Sequence, residues 1–301
     1  MKFKYIQIFL LLVFTASFLT SNFANPIPDS LTNKLASLQG AEKIPLIHKL
    51  TKQYFFNNPS KARDLSLEAA QLSELLQNDS LIAYSYNYLG LAYYFLDYWK
   101  LSVESYKKSM ETMHAQNSPH FNAALANNIA IDYELLGEFN KSAEFYFKAL
   151  KIKEPQKDSL FIAKTFMNLG LLDIQMNKQT EAIQKFKFSL PIFIKENDIR
   201  NIASNYQNLC IAEFLLGNID NAHNFFKNAI KFSTDSIKTS EIYLDYSNGL
   251  FNNRLYKEAL KNYHNALTFS DSVTRPATYF HIVQGIGKSL LFLGKTHEAE
   301  K

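Results

Sequence analysis

The sequence predicts an all-α fold of stacked antiparallel helix pairs, and three observations carry that reading. The first is Gly137 to Leu150, GEFNKSAEFYFKAL, which opens on a turn glycine. Small residues (Ser142, Ala149) and aromatics (Phe139, Tyr146) then recur at spacings of three, four and seven, the period of one helical face. The second is repetition. A small residue recurs at Gly90, Ala130, Gly170, Cys210, Ser247 and Gly287, stepping by 40 with a single step of 37. A second small column runs Ala62, Ser102, Ser142, Ala182, Ala222, Ala259, Ala299, an aromatic one Tyr106, Tyr146, Phe186, Phe226, Tyr263, and a third small one Ser109, Ala149, Ser189, Ala229, Ala266. Columns that hold register over this length mark a repeat protein. The third is composition: 47% hydrophobic content with only nine glycines and eight prolines in 301 residues suits a mostly helical core.

The spacing within one unit resembles the tetratricopeptide repeat (TPR). The match is closest over Asn127 to Leu150, where Asn128, Ala130, Tyr133, Gly137, Phe139, Ser142, Tyr146 and Ala149 fall on the pattern. The resemblance covers Leu81 to the end, with a weaker unit before it. The period departs from the family's usual 34 residues, and about one extra turn per helix, or a longer connection, would absorb the difference. The resemblance implies a right-handed α–α superhelix in which the first helix of each unit lines a concave groove. Physically, two helices approach closely only where facing side chains are small, as at Gly90 against Ser102, and each pair buries its apolar face only by stacking on its neighbours.

In chain order, residues 1–24 read as a secretory signal peptide. Lys2 and Lys4 precede an apolar run from Ile6 to Phe14, and a polar, small-residue region ends near Ala24. Asn22 stands at the −3 position, where a small residue is usual. The run is short for a bilayer span, the alternative being an uncleaved anchor. Residues 25–30, NPIPDS, form a linker whose two prolines disfavour helix before them. Residues 31–78 carry a degenerate first repeat, with Leu50 and Ala62 in register and Ser66 in place of the aromatic. Asn57 to Ser60 supplies the turn between its helices.

Residues 79–301 form the regular array, about five units and an incomplete last one. The stretches Asn78-Asp79-Ser80, Asn117-Ser118-Pro119 and Lys157-Asp158-Ser159 end one unit and offer N-caps for the next, and Ser118 before Pro119 fits an N-cap followed by proline at the first helical position. Gly137, Gly217 and Gly294 sit in the turn inside a unit, with Asn177 taking the same place. Pro191, late in a second helix, is expected to kink that helix or end it early. Gly294 to Lys301 opens another second helix without its aromatic and small columns, which leads to the expectation of a chain that is truncated or part of something longer.

The sequence offers little chemistry. Gln284 to Ser289, QGIGKS, carries the tail of a phosphate-binding loop, but Ile282 holds the first glycine position and Gly287 belongs to a helix column. Cys210 is the sole cysteine and sits in the close-packing column, so it reads as a small buried residue. The seven histidines are scattered; His114 and His120 lie across an expected loop with no acidic ligand beside them, so no metal is expected. Acidic residues are read as solvated faces. No catalytic residue and no cofactor is expected. The net charge of +4, or +2 without Lys2 and Lys4, is too mild to argue for nucleic acid. Membrane association would come only through an uncleaved N-terminus or a segment beyond the C-terminus.

What remains is surface. By register with the family, the partner-binding positions are Tyr84, Asn87, Leu91 and Tyr94, then Asn127, Ile131 and Glu134, then Lys164, Met167 and Leu171, then Gln207, Ile211 and Phe214. Such a groove is apolar and amide-rich. The family's basic clamp for a terminal carboxylate needs lysine where Asn87, Asn127, Met167 and Gln207 stand, so acidic C-terminal tails are not the expected ligand. The leading expectation is an exported scaffold, periplasmic or envelope-associated, that binds a protein or peptide partner. The alternative is the sensory ectodomain of a membrane regulator.

Overall fold

The computed structural model describes residues 34–114, 118–273 and 275–299. The expected signal peptide and linker lie outside the described residues. Every regular element among them is a helix, so the all-α, TPR-type solenoid class is borne out. The chain divides into two compact units, 1–158 and 159–301. The first holds the pairs α1 (Lys43–Tyr54) and α2 (Pro59–Leu75), α3 (Asp79–Phe95) and α4 (Trp99–His114), and α5 (Pro119–Leu135) and α6 (Phe139–Lys153). The second holds α7 (Ser159–Gln175) and α8 (Gln179–Lys195), α9 (Ile199–Leu215) and α10 (Ile219–Lys231), α11 (Ser236–Asn252) and α12 (Tyr256–Thr268), and α13 (Pro276–Phe292) with one turn of α14 (Thr296–Ala299).

The columns are the seams of these pairs. Ala62, Ser102, Ser142, Ala182, Ala222 and Ala259 are fully buried, and so are Ser109, Ala149, Ser189, Ala229 and Ala266. At two of these serines the hydroxyl closes the seam: Ser102 Oγ donates to the Gly90 carbonyl at 2.8 Å and Ser109 Oγ to the Ala83 carbonyl at 2.6 Å. The aromatic column is equally buried. Each such ring withdraws enough apolar surface to contribute roughly 2–3 kcal/mol. At Gly90 and Gly170 the rings lie directly on the backbone. An added Cβ would come within 2.7 Å of Tyr106 and 2.5 Å of Phe186.

Turns follow the same register. Gly137, Gly217, Gly294 and Asn177 all have positive φ, as expected, and Asp97 and Arg254 share that column with φ of 60° and 66°. The cap at Asn78 forms, its side chain accepting from the Leu81 amide. Asn58, Asp198 and Asp235 cap the helices after them in the same way. The step of 37 arises because α10 is only 13 residues long; α12 is equally short, but the longer connection 269–275 restores the step.

Several expectations need correction. Pro191 does not end its helix: α8 runs on to Lys195. Pro191 is exposed, while Phe193, two residues further on, is fully buried with Ala163 and Ile202, and that packing holds the last turn in place. Ser118 occupies the N-cap position before Pro119 but makes no side-chain cap bond. Gly287 has nothing within 4 Å of a Cβ built on it, so among the described residues no ring rests on it as one does on Gly90 and Gly170. The glycines that do meet rings in this part of the chain are Gly249, against Phe214, and Gly285, against Tyr263. QGIGKS is helical, with Lys288 bonded to Gln284 Oε1 at 3.0 Å and Ser289 Oγ to the Gly285 carbonyl at 2.8 Å.

Candidate partner-binding faces

In the first unit the predicted positions form a stripe along α3 and α5. Tyr84 is 41% exposed and meets Phe121 edge-on, the ring centroids 4.8 Å apart, so the stripe bridges two successive first helices. Asn87, Leu91, Tyr94, Asn127 and Ile131 are half-buried along it. Glu134 is buried and accepts from the Tyr146 hydroxyl at 3.2 Å, so it serves the core. Beside the stripe, Tyr88 packs against His48 with centroids 4.6 Å apart, and Lys52 Nζ lies 5.3 Å over the same ring. His48 hydrogen-bonds Ser85 Oγ at 2.9 Å. Burial, helped by the Lys52 charge, lowers its pKa to about 4, so the imidazole is neutral at physiological pH.

In the second unit the stripe is more polar and more closed. Lys164 is exposed, with its ammonium 3.6 Å from Asp198, and Met167 and Ile211 are half-buried. Leu171, Gln207 and Phe214 are buried, at 2%, 2% and 5% exposure, and cannot meet a partner without a rearrangement. For Gln207 and Phe214 the cause is the neighbouring first helix. Phe214 packs against Gly249 and Tyr246 of α11, and the Gln207 amide donates to Asp245 while accepting from Lys238 Nζ at 2.6 Å. Arg275 reaches Glu241 at 3.9 Å from the foot of α13. Burial raises Asp245 far above the carboxylate range against the opposing pull of Gln207 and Lys238, raises Glu241, and lowers Lys238. This polar tie runs across α9, α11 and α13.

Sequence reasoning missed the tie because it read the acidic residues as solvated. Asp132 is fully buried, and Asp245, Glu134 and Glu213 nearly so. Register could have found two of them. Asp132 shares a column with Ala92, Leu172, Ala212, Gly249 and Ser289, and Asp245 one with Asn128, Asn168 and Asn208. An acid in an otherwise apolar or amide column is the signal. His120 lies at a helix end, in the first turn of α5, but it has an unexpected acid beside it: it is bonded to Lys153 and lies 3.9 Å from the Asp158 carboxylate. Lys153, itself buried, bonds that carboxylate at 2.7 Å, which makes this an ion-pair corner closing the turn after α6.

No protein-family model matches the sequence, and no curated protein does. Solved structures match well in fold and poorly in sequence. The apo quorum sensor NprR from B. thuringiensis aligns over 90% of this chain and 77% of its own, with a TM-score of 0.73 at 14% identity. A Rap protein complexed with Competence and Sporulation Factor aligns over 92% and 82%, with a TM-score of 0.62 at 16% identity. Aspartyl phosphate phosphatase F from Bacillus subtilis aligns over 92% and 76%, with a TM-score of 0.63 at 15% identity. Identities at this level speak to fold alone. What these likenesses show is the fold, a tetratricopeptide-type stack of antiparallel helix pairs.

Proposed function

We propose that the chain is an exported scaffold that holds a protein or peptide partner on the stripe of its first helices and performs no chemistry of its own. The observation that carries the binding role is Tyr84, a large ring left exposed on Phe121 in line with the half-buried Asn87, Leu91, Asn127 and Ile131. Aromatic side chains with a polar tip are favoured at interfaces. The Rap structure, solved with Competence and Sporulation Factor, supports a ligand-binding reading of this fold. Export is supported by Lys2, Lys4 and the apolar run before Ala24. A second reading, a sensory part of a regulator, is favoured by the likeness to NprR, described as a quorum sensor.

Peptide display against the purified chain tests the binding role. Selected peptides should lose most of their affinity for Tyr84→Ser and Leu91→Ser and keep it for Phe147→Ser, which alters an exposed ring on a second helix. Equal loss or equal retention across the three variants would reject the stripe. Fractionation of source cells tests export. A band in the soluble envelope fraction supports the scaffold, a cytoplasmic band rejects export, and a larger membrane-bound band favours the sensory reading.

A further inference from the structure

Asp132 stands in the core of the first unit as no other residue of its column does. The equivalent positions hold Ala92, Leu172, Ala212, Gly249 and Ser289, of which the first three are buried apolar side chains. Asp132 has no exposed surface, and neither carboxyl oxygen has a hydrogen-bond partner. The Ser102 hydroxyl is near enough to act on it, but the Ser102 hydrogen is already given to the Gly90 carbonyl at 2.8 Å. Ser102 can therefore accept from a protonated carboxyl far better than it can donate to an ionised one. The titratable groups that feel Asp132 are Tyr94 of α3, Tyr106 of α4 and Tyr146 of α6; Glu134, further along α5, acts on Tyr94 and Tyr146 as well. None of these is a cation. The lysines nearby are engaged with Tyr133: Lys107 Nζ bonds its hydroxyl at 2.9 Å and Lys141 Nζ lies 5.3 Å over its ring.

We propose that Asp132 is a proton-operated lock on the seam between α4 and α5, closed while its carboxyl carries a proton and released when the proton leaves. An ionised carboxylate in this position has no exposed surface and only the shared Ser102 hydroxyl to stand in for its hydration, so ionisation favours parting of the seam. Burial alone, opposed only by Ser102, raises the Asp132 pKa to about 8. The sign follows. The carboxyl ionises near its ordinary value of about 4 once the seam is open, and only near 8 while it is closed. Opening is thus favoured by each increment of pH between those limits and is indifferent to pH above them. Ile131 and Asn127 lie on the same helix, so the partner-facing stripe of α5 moves with the lock.

Hydrogen exchange of the intact chain, followed by mass spectrometry on peptides covering 119–135 and corrected for the intrinsic base-catalysed rate, tests the lock. The wild type should show an opening equilibrium that rises roughly tenfold per pH unit from pH 5 and levels off near pH 8. Asp132→Asn and Asp132→Leu, the second borrowing the residue of the Leu172 position, should both abolish the rise. Restricting the readout to 119–135 keeps Asp245 and Glu241 of the second unit out of the measurement. A wild-type profile without pH dependence overturns the proposal, and so does a neutral variant that keeps the slope. Should one variant not fold, the other decides; should neither fold, the wild-type plateau does.

Discussion

Gly170 and Gly287 share a column position and should answer the same methyl group in opposite ways. At Gly170 a Cβ would meet Phe186 at 2.5 Å, so Gly170→Ala overpacks a seam and should cost about 1–3 kcal/mol in denaturant unfolding. At Gly287 a Cβ meets nothing within 4 Å and the residue is helical, so Gly287→Ala should gain about 1 kcal/mol from helix propensity alone. Equal effects at the two sites would mean that the rings do not rest on the glycines. His48 gives a pH limb opposite in sign to that of Asp132. Its folded pKa of about 4 lies below its ordinary 6.5, so the unfolded state binds the extra proton. Stability of the first helix pair is complete above pH 6.5 and falls as pH drops toward 4. His48→Gln should flatten that acid limb in hydrogen exchange of residues 43–54, and an unchanged limb would place its origin elsewhere.

Among the elements, α8 and the turn at Arg254 carry avoidable cost. Pro191 lacks the amide that would bond back one turn, yet α8 continues through it because Phe193 is anchored. With that anchor in place, Pro191→Ala should restore the missing bond and raise stability by about 1–3 kcal/mol. Arg254 occupies a left-handed turn position filled by glycine at Gly137, Gly217 and Gly294. Replacing it with glycine should relieve about 1 kcal/mol of backbone strain, seen as a higher unfolding midpoint. Asp235→Ala removes the 2.7 Å cap bond to the Lys238 amide and should cost about 1 kcal/mol. A variant of α11 that keeps its midpoint would show that cap to be dispensable.

For the whole molecule, the repeat register was legible because it rests on volume. A small residue where helices touch and a ring where pairs meet leave a periodic trace that one sequence can display. The turn glycines were legible for a related reason, since positive φ favours few residue types. Asp97 and Arg254 escaped notice because local backbone bonds, from the Tyr98 amide to the Tyr93 carbonyl and from the Leu255 amide to the Leu250 carbonyl, hold ordinary residues in the same conformation. The candidate stripe was legible only in outline. Tyr84, Asn87 and Ile131 are accessible as register suggests, whereas Leu171, Gln207 and Phe214 are buried, the last two against α11, the next first helix. Register says which residues share a stripe; how far the next helix covers it depends on contacts such as Gln207 with Asp245 and Phe214 with Gly249.

The rings that rest on Gly90, Gly170, Gly249 and Gly285 have a magnetic consequence. Each of these glycines turns its second α-hydrogen toward an aromatic ring current, which displaces that hydrogen's resonance well away from its random-coil position. The open glycines, Gly40, Gly137, Gly217, Gly287 and Gly294, have no such ring beside them and should resonate normally. A proton spectrum of glycine-labelled chain would thus report seam by seam on folding: Gly90 for the first unit, the other three for the second.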